Sequence, residues 1–171
     1  VHAAVGGSMS AAAYGVDGGW GGLRTTTALV DKFTDTADKR GIFHTAGQTK
    51  AIADIGEFTN GYAIGKYKNV TSTGATGSNL TFVDTDFPIF RLGEAYLIYA
   101  EAVKRGGTGD ATLALNKLVA LRTRAGITAN LASYDLNYII DERARELYWE
   151  GHRRTDLIRF GLFTSGTYVW P

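Results

Sequence analysis

At 171 residues the chain is long enough to bury a core as one domain, and 44% hydrophobic, 12% aromatic and 20% charged residues exclude an intrinsically disordered protein. A net charge of +1 provides no basic field for nucleic acid or an anionic membrane surface. The lack of cysteine excludes disulfides, thiolate catalysis and cysteine zinc sites, and no apolar run approaches the roughly 18 residues that span a bilayer.

The opening "VHAAVGGSMSAAAYG" (1–15) is small and apolar without the basic stretch of a signal peptide, and it reads as the middle of a longer protein. Fourteen of the 22 glycines fall in residues 1–80, which predicts a loop-rich region with short extended pieces such as "GYAIGKYKNV" (61–70). "TALVDKF" (27–33) suits one or two helical turns, and "TSTGATGSNL" (71–80) suits a surface loop.

From Phe87 onward the apolar period becomes helical. Pro88 fits a first helical turn with Asp86 as its cap, and Leu92, Ala95, Tyr96, Tyr99 and Val103 form the expected buried stripe. "RGGTGD" (105–110) breaks that helix, and Asp110 caps the next one. Its inward face is Ala111, Ala114, Leu115, Leu118 and Leu121, and its stop is Gly126. A third helix is expected from about Asp135 to Glu150 with Leu136, Ile140, Ala144 and Leu147 inward, interrupted by Gly151. A short helix follows through Leu157, Ile158 and Phe160 to Gly161. Short connections make these antiparallel hairpins. Leu92-Gly93 followed by Tyr96 matches the L-G-x-x-Y core of a tetratricopeptide helix, although no ~34-residue period runs through the chain. The expected fold class is mainly α: tetratricopeptide-like antiparallel helical hairpins, with a glycine-rich irregular region containing short strands or turns.

"IIDERARELYWEGHRRTDLIRFG" (139–161) poses the main chemical question, because Glu142, Glu146 and Glu150 recur every four residues. Carboxylates so spaced resemble a glycosidase pair, but a general acid needs a raised pKa, and neighbouring cations lower it. Arg143, Arg145, Arg153 and Arg154 crowd the same stretch. The expectation is a structural ion-pair network of Glu142, Arg143, Arg145, Glu146, Glu150, Arg153, Arg154 and Asp156. Within it, Glu142 reaches Arg145, Glu146 reaches Arg143, and Glu150 reaches Arg153 or Arg154. Tyr148 and Trp149 are assigned to core packing. His2, His44 and His152 lack metal-ligand spacing, and no phosphate-binding loop or G-x-S-x-G elbow is present. No catalytic residue, metal or cofactor is assigned.

Taken in order, "DFPIFRLGEAYLIYAEAV" (86–103), "ALNKLVALRTRAG" (114–126) and the 139–161 stretch resemble the three helical signatures of the SusD/RagB family of outer-membrane nutrient-binding lipoproteins. Phe160 stands where that family often has Trp. "GGWGGLRTTTALVDKF" followed by "DKR" (38–40) resembles the segment preceding those helices. Members of the family are several times longer and carry a lipobox cysteine, so the expectation is one partial domain. It comprises a loop-rich segment 1–85, a helical segment 86–161 and a truncated tail 162–171.

The resemblance implies a non-enzymatic protein on the outer-membrane surface, held by a lipid anchor absent from this sequence. It would bind a glycan or other oligomeric nutrient and deliver it to a TonB-dependent, SusC-like transporter. Sugar recognition wants aromatic platforms edged by polar groups, and Trp20, Tyr14, Asp17 and Arg24 in "YGVDGGWGGLR" (14–24) are the candidates. Tyr62, Tyr67, Phe43 and His44 are weaker ones. Two alternatives stay open: a helical protein-interaction module and a carbohydrate-active hydrolase.

Overall fold

The computed structural model describes residues 1–168, so the last three residues of the expected tail lie outside it. It forms two compact units, Val1–Val30 with Ile42–Phe87, and Asp31–Gly41 with residues 88–168. The expected change of texture at residue 86 lies beside the boundary between Phe87 and Pro88. Asp31–Gly41, by contrast, is assigned to the second unit.

The first unit is mostly loop, with one small antiparallel sheet. Its strands are β1 (Arg24–Thr25), β2 (Phe43–His44) and β3 (Tyr62–Ile64), in the order β1-β3-β2. Arg24 faces Ala63 on one side of β3, and His44 faces Ala63 on the other. Glycines limit the central strand. Gly61 sits at φ +89°, and a Cβ on Gly65 would lie 2.9 Å from the Tyr14 hydroxyl. α1 is a single turn, Thr27–Val30. The core is Val5, Met9, Val16 and Ala63, flanked by Tyr14 and Phe58. With so little regular pairing, side chains must satisfy the backbone. Buried Asn69 donates to the carbonyls of Gly15 and Asn79 (both 2.8 Å) and accepts the Asp84 N–H at 3.0 Å. Gln48 accepts the Ala63 N–H (2.8 Å) and donates to the Phe58 carbonyl (3.1 Å).

The second unit holds the helices α2 (Leu92–Lys104), α3 (Ala111–Arg124), α4 (Leu136–Leu147) and α5 (Arg153–Arg159). α2 and α3 form an antiparallel hairpin, α4 packs on α2, and α5 packs on α4. Leu97 and Ala100 of α2, Ala114, Leu118 and Leu121 of α3, and Leu147 of α4 make one buried cluster. Local rules set several helix ends. Asp110 accepts the N–H groups of Thr112 (2.7 Å) and Leu113 (3.0 Å), and Asp135 accepts that of Tyr138 (2.7 Å). Gly126, at φ +89°, closes α3, with its N–H on the Thr123 carbonyl and that of Ile127 on the Arg122 carbonyl.

Four expectations about the helices need correction. Ala111, expected on the inward face of α3, lies in its first turn and is exposed; Ala114, Leu118 and Leu121 are the buried positions. α2 begins at Leu92, so Asp86 and Pro88 neither cap nor enter it; Arg91 occupies the cap position without a capping side chain. The buried face of α2 is rotated from the expected stripe. Gly93, Leu97, Ala100 and Glu101 are buried, Tyr96, Tyr99 and Val103 flank them, and Leu92 (64% exposed) and Ala95 face solvent. The reason is Gly93, whose missing side chain lets α4 approach; a Cβ there would lie 2.7 Å from Glu146 Oε1. Finally, α4 stops at Leu147, and Tyr148 is extended. Trp149 takes φ +61°, a left-handed conformation that non-glycine residues rarely adopt, so Glu150 lies beyond the helix. Tyr148 turns inward instead, packing edge-on against Phe33 (5.9 Å) and donating its hydroxyl to the Arg40 carbonyl at 2.6 Å.

The charged side chains form a connected lattice. Glu146, 3% exposed, accepts from Arg91 Nη1 (2.5 Å), Arg124 Nη2 (2.5 Å) and Arg40 Nη1 (3.0 Å). Fully buried Glu142 accepts from Arg40 (2.7 Å) and, as expected, from Arg145 (2.8 Å). Arg40 is itself clasped by Asp38 (2.7 and 2.9 Å). Glu150 takes a two-pronged bond from Arg91 (2.5 and 2.9 Å), where Arg153 or Arg154 was expected. Arg143, expected on Glu146, gives its Nε to Asp156 (2.7 Å). Arg153 donates to the Ile140 carbonyl (2.9 Å), and Arg154 lies over the Phe163 ring (5.1 Å).

Burial alone would raise the Glu146 pKa, but the hydrogen bonds from Arg91 and Arg124 outweigh it and hold the carboxyl at about 2. The folded-state value lies below the unfolded one, so the stabilisation is complete above the ordinary carboxylate range. It is lost as pH falls through that range toward 2. Denaturant titrations should therefore show stability dropping steadily below about pH 4. At neutral pH, Glu146→Gln should lower the unfolding free energy by roughly 3–5 kcal/mol, because three guanidinium groups lose their shared anion. A shifted midpoint at unchanged m-value is the measurement.

Candidate functional site

"GGWGGL" (18–23) is laid on the 3₁₀ turn His2–Ala4 by main-chain bonds. The N–H of Trp20 donates to the His2 carbonyl (2.9 Å), Gly21 to Val5 (2.9 Å), and Gly22 and Leu23 to Ala3 (3.0 and 2.8 Å). Two glycines make this approach feasible. A Cβ on Gly19 would come within 2.2 Å of the Val5 carbonyl oxygen, and Gly21 sits at φ +60°. The fixed backbone between them presents a Trp20 side chain that is 78% exposed.

Beside the indole lies a small polar cluster. The His2 ring centre is 5.8 Å from that of Trp20, with the planes 31° apart. His2 Nε2 lies 3.1 Å from Asp17 Oδ1, and the other carboxylate oxygen accepts the Thr81 hydroxyl. The Asp17 N–H donates to the Leu80 carbonyl at 3.4 Å. The Thr81 hydrogen bond, then that of His2, hold the Asp17 carboxyl below its ordinary pKa, so it stays ionised at neutral pH. The result is a flat apolar ring next to an anionic acceptor. Such a pair can stack on the face of a ligand ring and accept a hydrogen bond from its edge.

Of the four candidates, the structure joins Trp20 and Asp17 through His2. Arg24 is engaged elsewhere, donating to the carbonyls of Asn60 (2.9 Å) and Ile55 (2.7 Å) over the Phe58 ring. Tyr14 flanks the buried core, with Lys68 Nζ 4.9 Å above its ring. His2 and Thr81 were not among the candidates. Thr81 carried no signal, being 64 residues from Asp17 in sequence, and His2 stood out only as lacking metal-ligand spacing.

In the helical unit, a pocket of about 570 Å³ is lined by charged groups including Glu94, Glu101, Arg143 and Asp156. Glu101 and Asp156 both bond Arg159, and Glu94 lies 3.7 Å from Arg143. Among the described residues, no group of three or more His, Asp or Glu is placed to hold a metal ion.

The family model described as the SusD family matches residues 45–169. The chain belongs to the SusD family. It is 43% identical over 153 residues to the starch-binding protein SusD of Bacteroides thetaiotaomicron, in an alignment taking in 87% of this chain and 26% of that protein. The chain thus spans about a quarter of the length of this curated relative. The helical hairpins of the second unit agree with the tetratricopeptide-like helical class of SusD-family proteins.

The glycines around the indole give a direct test. Gly19→Ala should force the Trp20 strip off Val5 and cost about 1–3 kcal/mol, as overpacking does. Gly18→Ala, which meets nothing within 4 Å, should stay within about 0.5 kcal/mol of the parent. Thermal unfolding of the two variants distinguishes them.

Proposed function

We propose that Trp20 and Asp17 form a glycan-binding surface of a SusD-family protein, with the indole stacking on a sugar face and the carboxylate accepting sugar hydroxyls. The observation that carries this reading is an indole left 78% exposed on a backbone that four main-chain bonds hold in place. A tryptophan so placed buries little of its own surface, yet the chain spends two sterically required glycines on presenting it. Likeness to a starch-binding protein supports an α-glucan as the first ligand to try.

The role proposed is non-enzymatic. Glu142, Glu146 and Glu150 are buried against guanidinium groups, and Glu146 is held at about 2, the opposite of the raised pKa that a general acid requires. In the wider proposal the protein works at the cell surface of the outer membrane through a lipid anchor, and hands its glycan to a TonB-dependent, SusC-like transporter. No helix among the described residues is long and apolar enough to cross a membrane.

Calorimetric titration with maltoheptaose tests the surface. Trp20→Ala should weaken binding at least about tenfold, in line with the weight that single aromatic anchors carry, while the far-ultraviolet circular dichroism stays unchanged. Equal affinity in the variant would remove Trp20 from the site.

A further inference from the structure

We propose that Phe82 is a second ring of the same surface, so that the site reads a run of several sugars in preference to a single one. The inference rests on the Trp20 reading above and extends it. Phe82 is 78% exposed, as bare as Trp20, and a phenylalanine has no polar atom to gain from facing water. Its backbone is nonetheless held from the N-terminal side. Asn79 Oδ1 accepts the N–H groups of Thr81 and Phe82 (both 2.9 Å), and the Asn79 carbonyl takes a bond from buried Asn69 (2.8 Å).

The same turn is fastened to the Trp20 loop at Asp17. Thr81 donates its hydroxyl to the Asp17 carboxylate, and the Leu80 carbonyl accepts the Asp17 N–H. Phe82 follows Thr81 directly, about 3.8 Å away between Cα atoms, and Trp20 is three residues from Asp17, at most about 11 Å. One ionised carboxylate therefore links two turns, each presenting an uncovered aromatic ring. Two separate rings with an acceptor between them along that bonded path suit a chain of neutral sugars. Each ring takes one sugar face, and Asp17 takes a hydroxyl.

The experiment is a titration of the whole chain with maltose, maltotriose and maltoheptaose, using the parent, Phe82→Ala, Phe82→Tyr and Trp20→Ala. Phe82→Ala should weaken maltoheptaose about tenfold and maltose less than twofold, erasing most of the gain with chain length; Phe82→Tyr should keep that gain. An unchanged maltoheptaose affinity in Phe82→Ala, alongside a loss in Trp20→Ala, overturns the second ring and leaves the first. An equal loss at every length also overturns it, because Phe82 would then act as a general support. Absence of binding by the parent, or affinities untouched by Trp20→Ala, removes the surface itself and this inference with it.

Discussion

Glu146 cannot be buried alone. A carboxylate taken out of water loses several kcal/mol of hydration, which only well-placed donors restore. Here the donors are Arg40, Arg91 and Arg124, contributed by the Asp31–Gly41 segment, the cap position of α2 and the last residue of α3. Satisfying one anion thus fixes three stretches of chain against α4. The close approach this demands is possible because Gly93 has no side chain to meet the carboxylate. Apolar packing of Leu97, Leu118 and Leu147 fills the space between the helices, and the ion lattice selects where each helix starts and how it is turned.

How much of this was legible depended on how far each cause reaches along the chain. Asp110, Gly126 and Asp135 act on residues two to five positions away, and they mark their helix ends as local rules require. Asp86 and Pro88 make an equally good local start signal, yet α2 begins later because Arg91 is anchored to Glu146 and Glu150. The same limit separates the ion pairs. Glu142 with Arg145 is a one-turn neighbour and could be read from spacing, whereas Arg40, Arg91 and Arg124 come from distant positions. That Glu142, Glu146, Glu150 and Asp156 are bound up with arginines followed from charge density; the identity of most partners did not.

The loop-rich unit shows the same division. Glycines flanking Trp20 fitted a ring plugging the loop onto the core as well as a presented one; the indole is 78% exposed, and the close approach of Gly19 to Val5 gives the glycine pattern its steric cause. Arg24 and Tyr14 looked equally suited to a ligand from their place in the sequence, but Arg24 serves backbone carbonyls and Tyr14 flanks the core. His2 and Thr81 could not be paired with Asp17 in advance, because loop geometry follows no period. Phe82 stood in a stretch without pattern, and its significance comes from the turn that Asn79 builds around it.

The placement of Arg40 bears on how this protein could be taken apart. The family match opens at residue 45, which would be the natural scissors mark for anyone isolating the helices. A fragment trimmed there would discard the guanidinium that bridges Glu142 and Glu146, together with the carbonyl that receives the Tyr148 hydroxyl. The helical piece is self-sufficient in its charges only if the excision falls upstream of Asp31, even though the intervening ribbon from Ile42 to Phe87 belongs to the other unit.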